Sequence, residues 1–287
     1  MTAALERSVQ QLTTPDGVHI ALHRFGNPHH VPVLLVPGTF SNWTFWFGTR
    51  GVGLARTLAD AGYYSCALDP RGHGESDRPL PNQQWDIDDW ARLDLPTALR
   101  AVATPEQPAF IIGHSAGGAV VLAALSAEPE LRVCVRGVVA IGTPLPWLQP
   151  WRGIGARLIR AASLMMRRFP ARLLRIGPED ELPRVMSQWM TWNIEGHWTG
   201  DDGTDYTAGL RQLTHPFLMI AGTHDRIFAP PAACRGLFDL IGSTNKRFLL
   251  FGRSEGHAAD YDHVGLVVSK AARAEVWPAI VDWIGGH

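Results

Sequence analysis

Four side chains spread over half of a 287-residue chain have the types needed for nucleophilic acyl transfer: Ser115, Asp225, His257 and His263. Ser115 sits in Gly113-His114-Ser115-Ala116-Gly117, after an apolar run of strand character and before an alanine-rich segment that favours a helix. A serine at such a strand-to-helix turn has strained backbone geometry and an outward hydroxyl. Side chains two residues to either side would collide, so glycine is needed at 113 and 117. The turn also aims the first N–H groups of the helix at the atom under attack, where negative charge develops. Because a serine hydroxyl is a poor nucleophile near neutral pH, a base must lie within hydrogen-bond reach, oriented by a third group.

These groups have to be delivered by an alternating run of strands and helices. Residues 5–25 alternate apolar and polar around Pro15-Asp16-Gly17 and are expected to form an antiparallel hairpin. Short apolar runs at 31–36, 63–68, 109–112, 137–141, 217–221 and 247–251 are expected to be buried strands, with helices at 54–61, 87–102, 119–127 and 271–284 between and after them. This pattern predicts an α/β fold, a mostly parallel sheet covered by helices on both faces. From 147 to 204 the texture changes to helical segments rich in Arg, Met and Trp, with helices expected at 158–168 and 183–192. The expected organisation is therefore a core of 1–146 and 205–287 with a helical cap inserted at 147–204.

In an open α/β sheet, functional groups come from loops at the carboxyl ends of strands. The loop after 137–141 holds no carboxylate, whereas Gly222-Thr223-His224-Asp225-Arg226 after 217–221 does, which makes Asp225 the expected orienting acid. The base must follow the last strand, where His257 and His263 compete; His263, at the approach to a helix with a regular apolar face, is preferred. The other ten histidines are expected mostly in loops and in solvent. For the oxyanion, the N–H of Ala116 is one expected donor, and Pro37-Gly38-Thr39-Phe40 supplies the second, from Thr39 or alternatively Phe40. Phe40, His114, Trp147 and Trp189 are expected to contact substrate. The cap also carries Trp151, Met165, Met166, Met186, Met190, Trp192 and Trp198, whose adaptable thioethers and broad rings suit a small apolar acyl substrate or the cap's own packing.

Composition narrows the partners. Hydrophobic content of 46% and charged content of 18% are those of a globular protein. A formal net charge of -1 with no evident basic stripe argues against nucleic acid and against an anionic membrane surface. Cys66, Cys134 and Cys234 lie too far apart for a disulfide framework or a zinc site. The first eleven residues, with Glu6 and Arg7, lack the apolar core of a signal peptide, and no run reaches membrane-span length, so a cytoplasmic protein is expected. Neither His29-His30 nor Asp201-Asp202-Gly203-Thr204-Asp205 has the remaining ligands of a metal site. No metal and no cofactor are expected; oligomeric state is open.

With these residues in view, the chain resembles the α/β-hydrolase superfamily over essentially its whole length. The resemblance rests on Pro37-Gly38, Gly113-His114-Ser115-Ala116-Gly117-Gly118, the acid-then-histidine order, and Asp69-Pro70-Arg71-Gly72-His73-Gly74-Glu75-Ser76, read as scaffold. Tyr261-Asp262-His263-Val264-Gly265-Leu266 is similar to the region around the catalytic histidine of acid lipases, which adds weight to His263. Pro37 replaces the histidine usual before this glycine, and Gly265 stands where aspartate is common. The resemblance implies a serine hydrolase of esters, lactones or thioesters. It is also compatible with C–C bond hydrolysis, acyl transfer to an alcohol, cofactor-free peroxidation, or a catalytically silent ligand-binding member.

Overall fold

The computed structural model describes residues 7–48, 51–80, 82–148 and 153–287. Its centre is β3 (Pro32–Val36) and its neighbours, runs of apolar residues that are buried along their whole length. Around β3 lie β1 (Ser8–Thr13), β2 (His19–Phe25), β4 (Tyr64–Asp69), β5 (Ala109–His114), β6 (Val135–Ile141), β7 (Phe217–Gly222) and β8 (Lys246–Phe251). The eight strands form one sheet in the order β1-β2-β4-β3-β5-β6-β7-β8. β2 pairs antiparallel with β1 and with β4, and every other pairing is parallel. The expected hairpin and mostly parallel sheet are both present.

Alternation along the strands explains why the sheet needs helices on both faces. Leu34, Val36 and Ile111 point into one core, shared with the helices Leu95–Val102, Ala116–Ala127 and Pro231–Leu240; Val33, Leu35, Phe110 and Ile112 point into the other, shared with Leu54–Asp60 and Lys270–Gly285. Chain direction then creates the site. From β3 the chain moves to β4 on one side and later to β5 on the other, so Val36 lies opposite Gly113 and the loops leaving β3 and β5 open into a common crevice.

The structure departs from the expected elements where side chains act at a distance. The helix anticipated over 87–102 contains a π-turn, Trp90–Asp94, between Ile87–Asp89 and Leu95–Val102. Pro96 lies just beyond it and has no N–H to offer the carbonyl four residues back, so the ladder must shift there. The shift accompanies a buried contact: Asp94 accepts hydrogen bonds from Arg71 N and Nε, both 2.8 Å long. Between β6 and β7 the main helices are Ile154–Met165, which starts and ends earlier than the expected 158–168, and Pro183–Glu195; the residues joining them and those at 196–205 form turns and two isolated bridges, Phe169 with Glu181 and Thr199 with Asp205. His23 and His73 are fully buried, not solvated. The expectation of no basic stripe also fails, since six arginines and no Asp or Glu lie within residues 154–178. Cys66 and Cys234 are buried, and burial pushes the Cys66 thiol up to about 12, leaving it unreactive. No helix among the described residues is long and apolar enough to cross a membrane.

Candidate active site

Ser115 adopts φ 55° and ψ -127°, a conformation that few non-glycine residues tolerate, between the end of β5 and the helix Ala116–Ala127. Its backbone is pinned from both sides: its N–H donates to the Ile141 carbonyl at 2.9 Å, and its carbonyl accepts from Thr143 Oγ1 at 3.1 Å. The flanking glycines are steric necessities. A Cβ at Gly113 would strike the backbone of Gly118, one at Gly117 would strike the carbonyls of Val36 and Pro37, and one at Gly38 would come within 2.9 Å of the Ser115 Cβ. The loop after β3 is thereby held directly against the serine.

The N–H groups of Thr39 and Ala116, the pair anticipated for an oxyanion, have no acceptor among the described residues, and neither has that of Gly117. The N–H of the alternative donor, Phe40, is engaged elsewhere, donating to Glu181 Oε2 at 2.9 Å. Phe40 is itself a non-glycine residue at φ 64°, and its carbonyl accepts the Glu179 N–H at 3.1 Å. Glu181 Oε1 accepts the Leu182 N–H and lies 3.3 Å from His73 Nε2, while Glu179 accepts from Asn42 Nδ2 and the Gly74 N–H. An acidic stretch between the two long inserted helices thus clamps the loop that carries Thr39. These residues escaped sequence reasoning because Glu181 lies 141 positions from its partner Phe40. The one available signal was the run Glu179-Asp180-Glu181 at the edge of a stretch otherwise without acids.

Asp225 and His263 meet at the carboxyl ends of β7 and β8. His263 Nδ1 donates to Asp225 Oδ2 at 2.5 Å, and Asp225 Oδ1 accepts the N–H groups of Phe228 at 3.1 Å and Ala229 at 2.9 Å. Burial of Asp225 opposes its charge, but the hydrogen bond and charge of His263 together with the two N–H groups outweigh it and hold the carboxyl below its usual range. The His263 ring lies between Phe228 and His114, at centroid distances of 5.0 and 4.6 Å. His114 Nε2 donates to the His263 carbonyl at 3.0 Å. Burial, reinforced by the neighbouring His263, depresses the His114 imidazole to about 3, so it stays neutral and serves as a fixed donor. His263 Nε2 and the Ser115 hydroxyl make no hydrogen bond among the described residues, yet His263 and Ser115 line one cavity of about 110 Å³.

His257 is elsewhere. Its ring packs tilted against Phe251 at 4.4 Å, contacts the Gly252 backbone and lines a separate groove with Glu275 and Trp283. A second cavity at Ser115, about 140 Å³, is walled by Phe40, Ile159, Phe169, Met186, Trp189 and Met190. Of the expected substrate contacts, Phe40 and Trp189 line this cavity and His114 lines the smaller one, but Trp147 lines neither and packs against the core. Trp192 and Trp198 are buried against each other and Tyr206, and Trp151 lies outside the described residues.

With this geometry in hand, known proteins offer a comparison. A family model described as serine aminopeptidase, S33, matches residues 48–255. Lipase member N of Homo sapiens is 27% identical over 158 residues, which cover 49% of this chain and 40% of the lipase. The AB hydrolase superfamily protein YfhM of Bacillus subtilis is 36% identical over 102 residues, covering 36% of this chain and 33% of that protein. The chain thus spans less than half the length of the curated relatives it matches. An esterase from Exiguobacterium antarcticum superposes with a TM-score of 0.70 at 17% identity, covering 97% of this chain and all of that one, which shows a shared fold.

Proposed function

The chain belongs to the S33 serine aminopeptidase family of α/β-hydrolases, and from that premise we propose that it hydrolyses a carboxylic ester, lactone or thioester of a small apolar acyl substrate. In this reading Ser115 Oγ attacks the carbonyl carbon and passes its proton to His263 Nε2. Asp225 keeps the imidazole in the tautomer with a proton on Nδ1 and stabilises the imidazolium that forms. The oxyanion is received by the N–H groups of Thr39 and Ala116, each such donor being worth about 2.7–4 kcal/mol in the transition state. Collapse expels the alcohol or thiol, protonated by His263, and water then attacks the acyl-enzyme through the same base.

The observation that carries the proposal is the Asp225–His263 pair opening onto the cavity that Ser115 also lines. The cavity walls favour an acyl group over a peptide's amino terminus. Neither cavity beside Ser115 is lined by an Asp or Glu, whereas an aminopeptidase must neutralise a protonated amine. The larger cavity's apolar lining suits a short chain or a ring. A panel of p-nitrophenyl esters of increasing chain length, lactones and thioesters tests this reading against an aminoacyl p-nitroanilide. Ser115→Ala is expected to lower ester turnover by about 10⁶-fold and to abolish labelling by a fluorophosphonate. Undiminished turnover in that variant, or preference for the aminoacyl anilide, overturns it.

A further inference from the structure

The inserted segment has two faces of opposite purpose. Ile159, Phe169 and Ile176 help wall the larger cavity beside Ser115. Other large apolar side chains of the same segment face away from the protein: Met165 is 89% exposed, Leu173 81% and Ile154 74%, with Leu158, Leu164 and Leu174 more than half exposed. Among the described residues, eight of the fifteen exposed large hydrophobic side chains fall within residues 154–176. Single exposed hydrophobics are ordinary, but a concentration of this kind marks a contact surface.

Charge identifies the contact. Residues 154–178 hold Arg157, Arg160, Arg167, Arg168, Arg172 and Arg175 and no carboxylate, within a chain whose formal net charge is -1. The basic excess is therefore local, and the rest of the molecule is net acidic. Arg157, Arg160, Arg167, Arg172 and Arg175 are exposed and form no ion pair among the described residues. Elsewhere Arg71, Arg92 and Arg184 are matched to aspartates while exposed arginines such as Arg211, Arg226 and Arg273 also lack an ion pair among the described residues, so what sets residues 154–178 apart is the clustering of six arginines with no carboxylate among them. Long apolar side chains interleaved with unmatched guanidinium groups, which bond phosphate oxygens well, are complementary to an apolar layer under anionic headgroups.

We propose that residues 154–178 form a docking surface for an anionic phospholipid surface, lying on it without spanning it. The outer side chains enter the headgroup layer while Ile159, Phe169 and Ile176 receive an acyl substrate on the other side of the same short segment. The binding claim stands on exposure and charge alone; the delivery claim rests on the proposed hydrolysis.

The test is sedimentation of the full chain with phosphatidylcholine vesicles that contain or lack phosphatidylglycerol. Binding is expected to the anionic vesicles only and to fall steeply with added salt. Each arginine near such a surface contributes about 1 kcal/mol, so the triple variant Arg157→Gln, Arg167→Gln, Arg172→Gln is expected to bind about 10²-fold more weakly. Its turnover of a soluble short-chain ester should equal that of the wild type, which shows it to be folded. The Ser115→Ala variant should bind vesicles as the wild type does, which separates failure of docking from failure of the hydrolase reading. Absence of anionic binding, or undiminished binding by the triple variant, overturns the proposal. So does a concentration-dependent dimer, seen by analytical ultracentrifugation and broken by Leu158→Ser with Leu173→Ser, which would assign the surface to a second copy.

Discussion

The molecule contains the pairing of a buried carboxylate and an imidazole more than once, and the His263–Asp225 and His23–Asp69 pairs differ in one respect that decides their chemistry. His23 Nε2 lies 2.8 Å from Asp69 Oδ2, with both side chains fully buried. Its other nitrogen, Nδ1, accepts from Arg7 at 2.9 Å, and its ring stacks on Trp43 at 4.6 Å. Asp69 also accepts the N–H groups of Trp43 and Glu75, so every group is occupied by the scaffold. In the His263 pair only Nδ1 is occupied, and the ring borders the cavity shared with Ser115. A carboxylate–imidazole pair is therefore not a site in itself; the second nitrogen must face a space that a substrate can enter.

The widest separation between candidate bases comes from the two histidines after β8. His263→Ala is expected to lower ester turnover by about 10⁶-fold, while His257→Ala, which alters a groove remote from Ser115, leaves it within tenfold. The reverse ranking, measured as kcat/KM, would remove Asp225–His263 from the mechanism. Next in size is the contrast between the acids. Asp225→Asn is expected to cost about 10⁴-fold in kcat by imposing the wrong tautomer on His263, with only a modest lowering of the unfolding midpoint. Asp69→Ala should do the opposite, costing about 3–5 kcal/mol of stability through the donors it strands while the folded fraction keeps its kcat. Urea denaturation paired with active-site titration distinguishes the two outcomes.

A smaller effect is expected at Glu181, which touches the Phe40 backbone and no position that substrate would take. Glu181→Gln weakens the clamp on the loop that presents the Thr39 N–H. Because that donor acts on the transition state, kcat should fall by about 10- to 10²-fold with KM nearly unchanged. A rise in KM at constant kcat would instead make Glu181 part of the substrate's ground-state binding.

What could be read from the sequence was local or followed from chain direction. The elbow was legible because Gly113 and Gly117 answer to sterics within two residues of Ser115. That Asp225 and His263 would meet was legible because a carboxylate-bearing loop had to end one of two strands and a helix follows His263. The alternation of strands and helices along the chain followed from periodicity in the same way, as did the helices within the expected cap of 147–204, whereas the order of the strands in the sheet did not. The Glu181–His73–Phe40 cluster, the burial of His23 and the π-turn at Trp90–Asp94 were not legible. Each depends on a polar partner far away in the chain, and apolar periodicity carries no record of which polar groups will meet. The basic surface was hidden differently, since a whole-chain charge of -1 averages six clustered arginines against acids placed elsewhere.

Protonation offers the finest discrimination between the Asp225–His263 pair and its third counterpart, His73–Glu181. Burial lowers the affinity of His73 for a proton, but the charges of Glu181 and Glu179 raise it further, and the net shift is upward. A raised imidazole contributes stability that is fully present below its unfolded value of about 6.5 and is lost as pH rises through the folded value. Asp225 is shifted the other way, downward. Its contribution is present above the unfolded value of about 3.9 and is lost as pH falls through the folded one. The stability gap between wild type and His73→Gln should therefore shrink as pH rises above the unfolded value of about 6.5, while the gap for Asp225→Asn stays constant there and closes only in acid. Thermal midpoints across that range, in matched ionic strength, measure both gaps. A His73→Gln gap that is flat in alkali would mean that the imidazole facing Glu181 carries no charge, leaving the loop clamp to the hydrogen bonds of Glu181 alone.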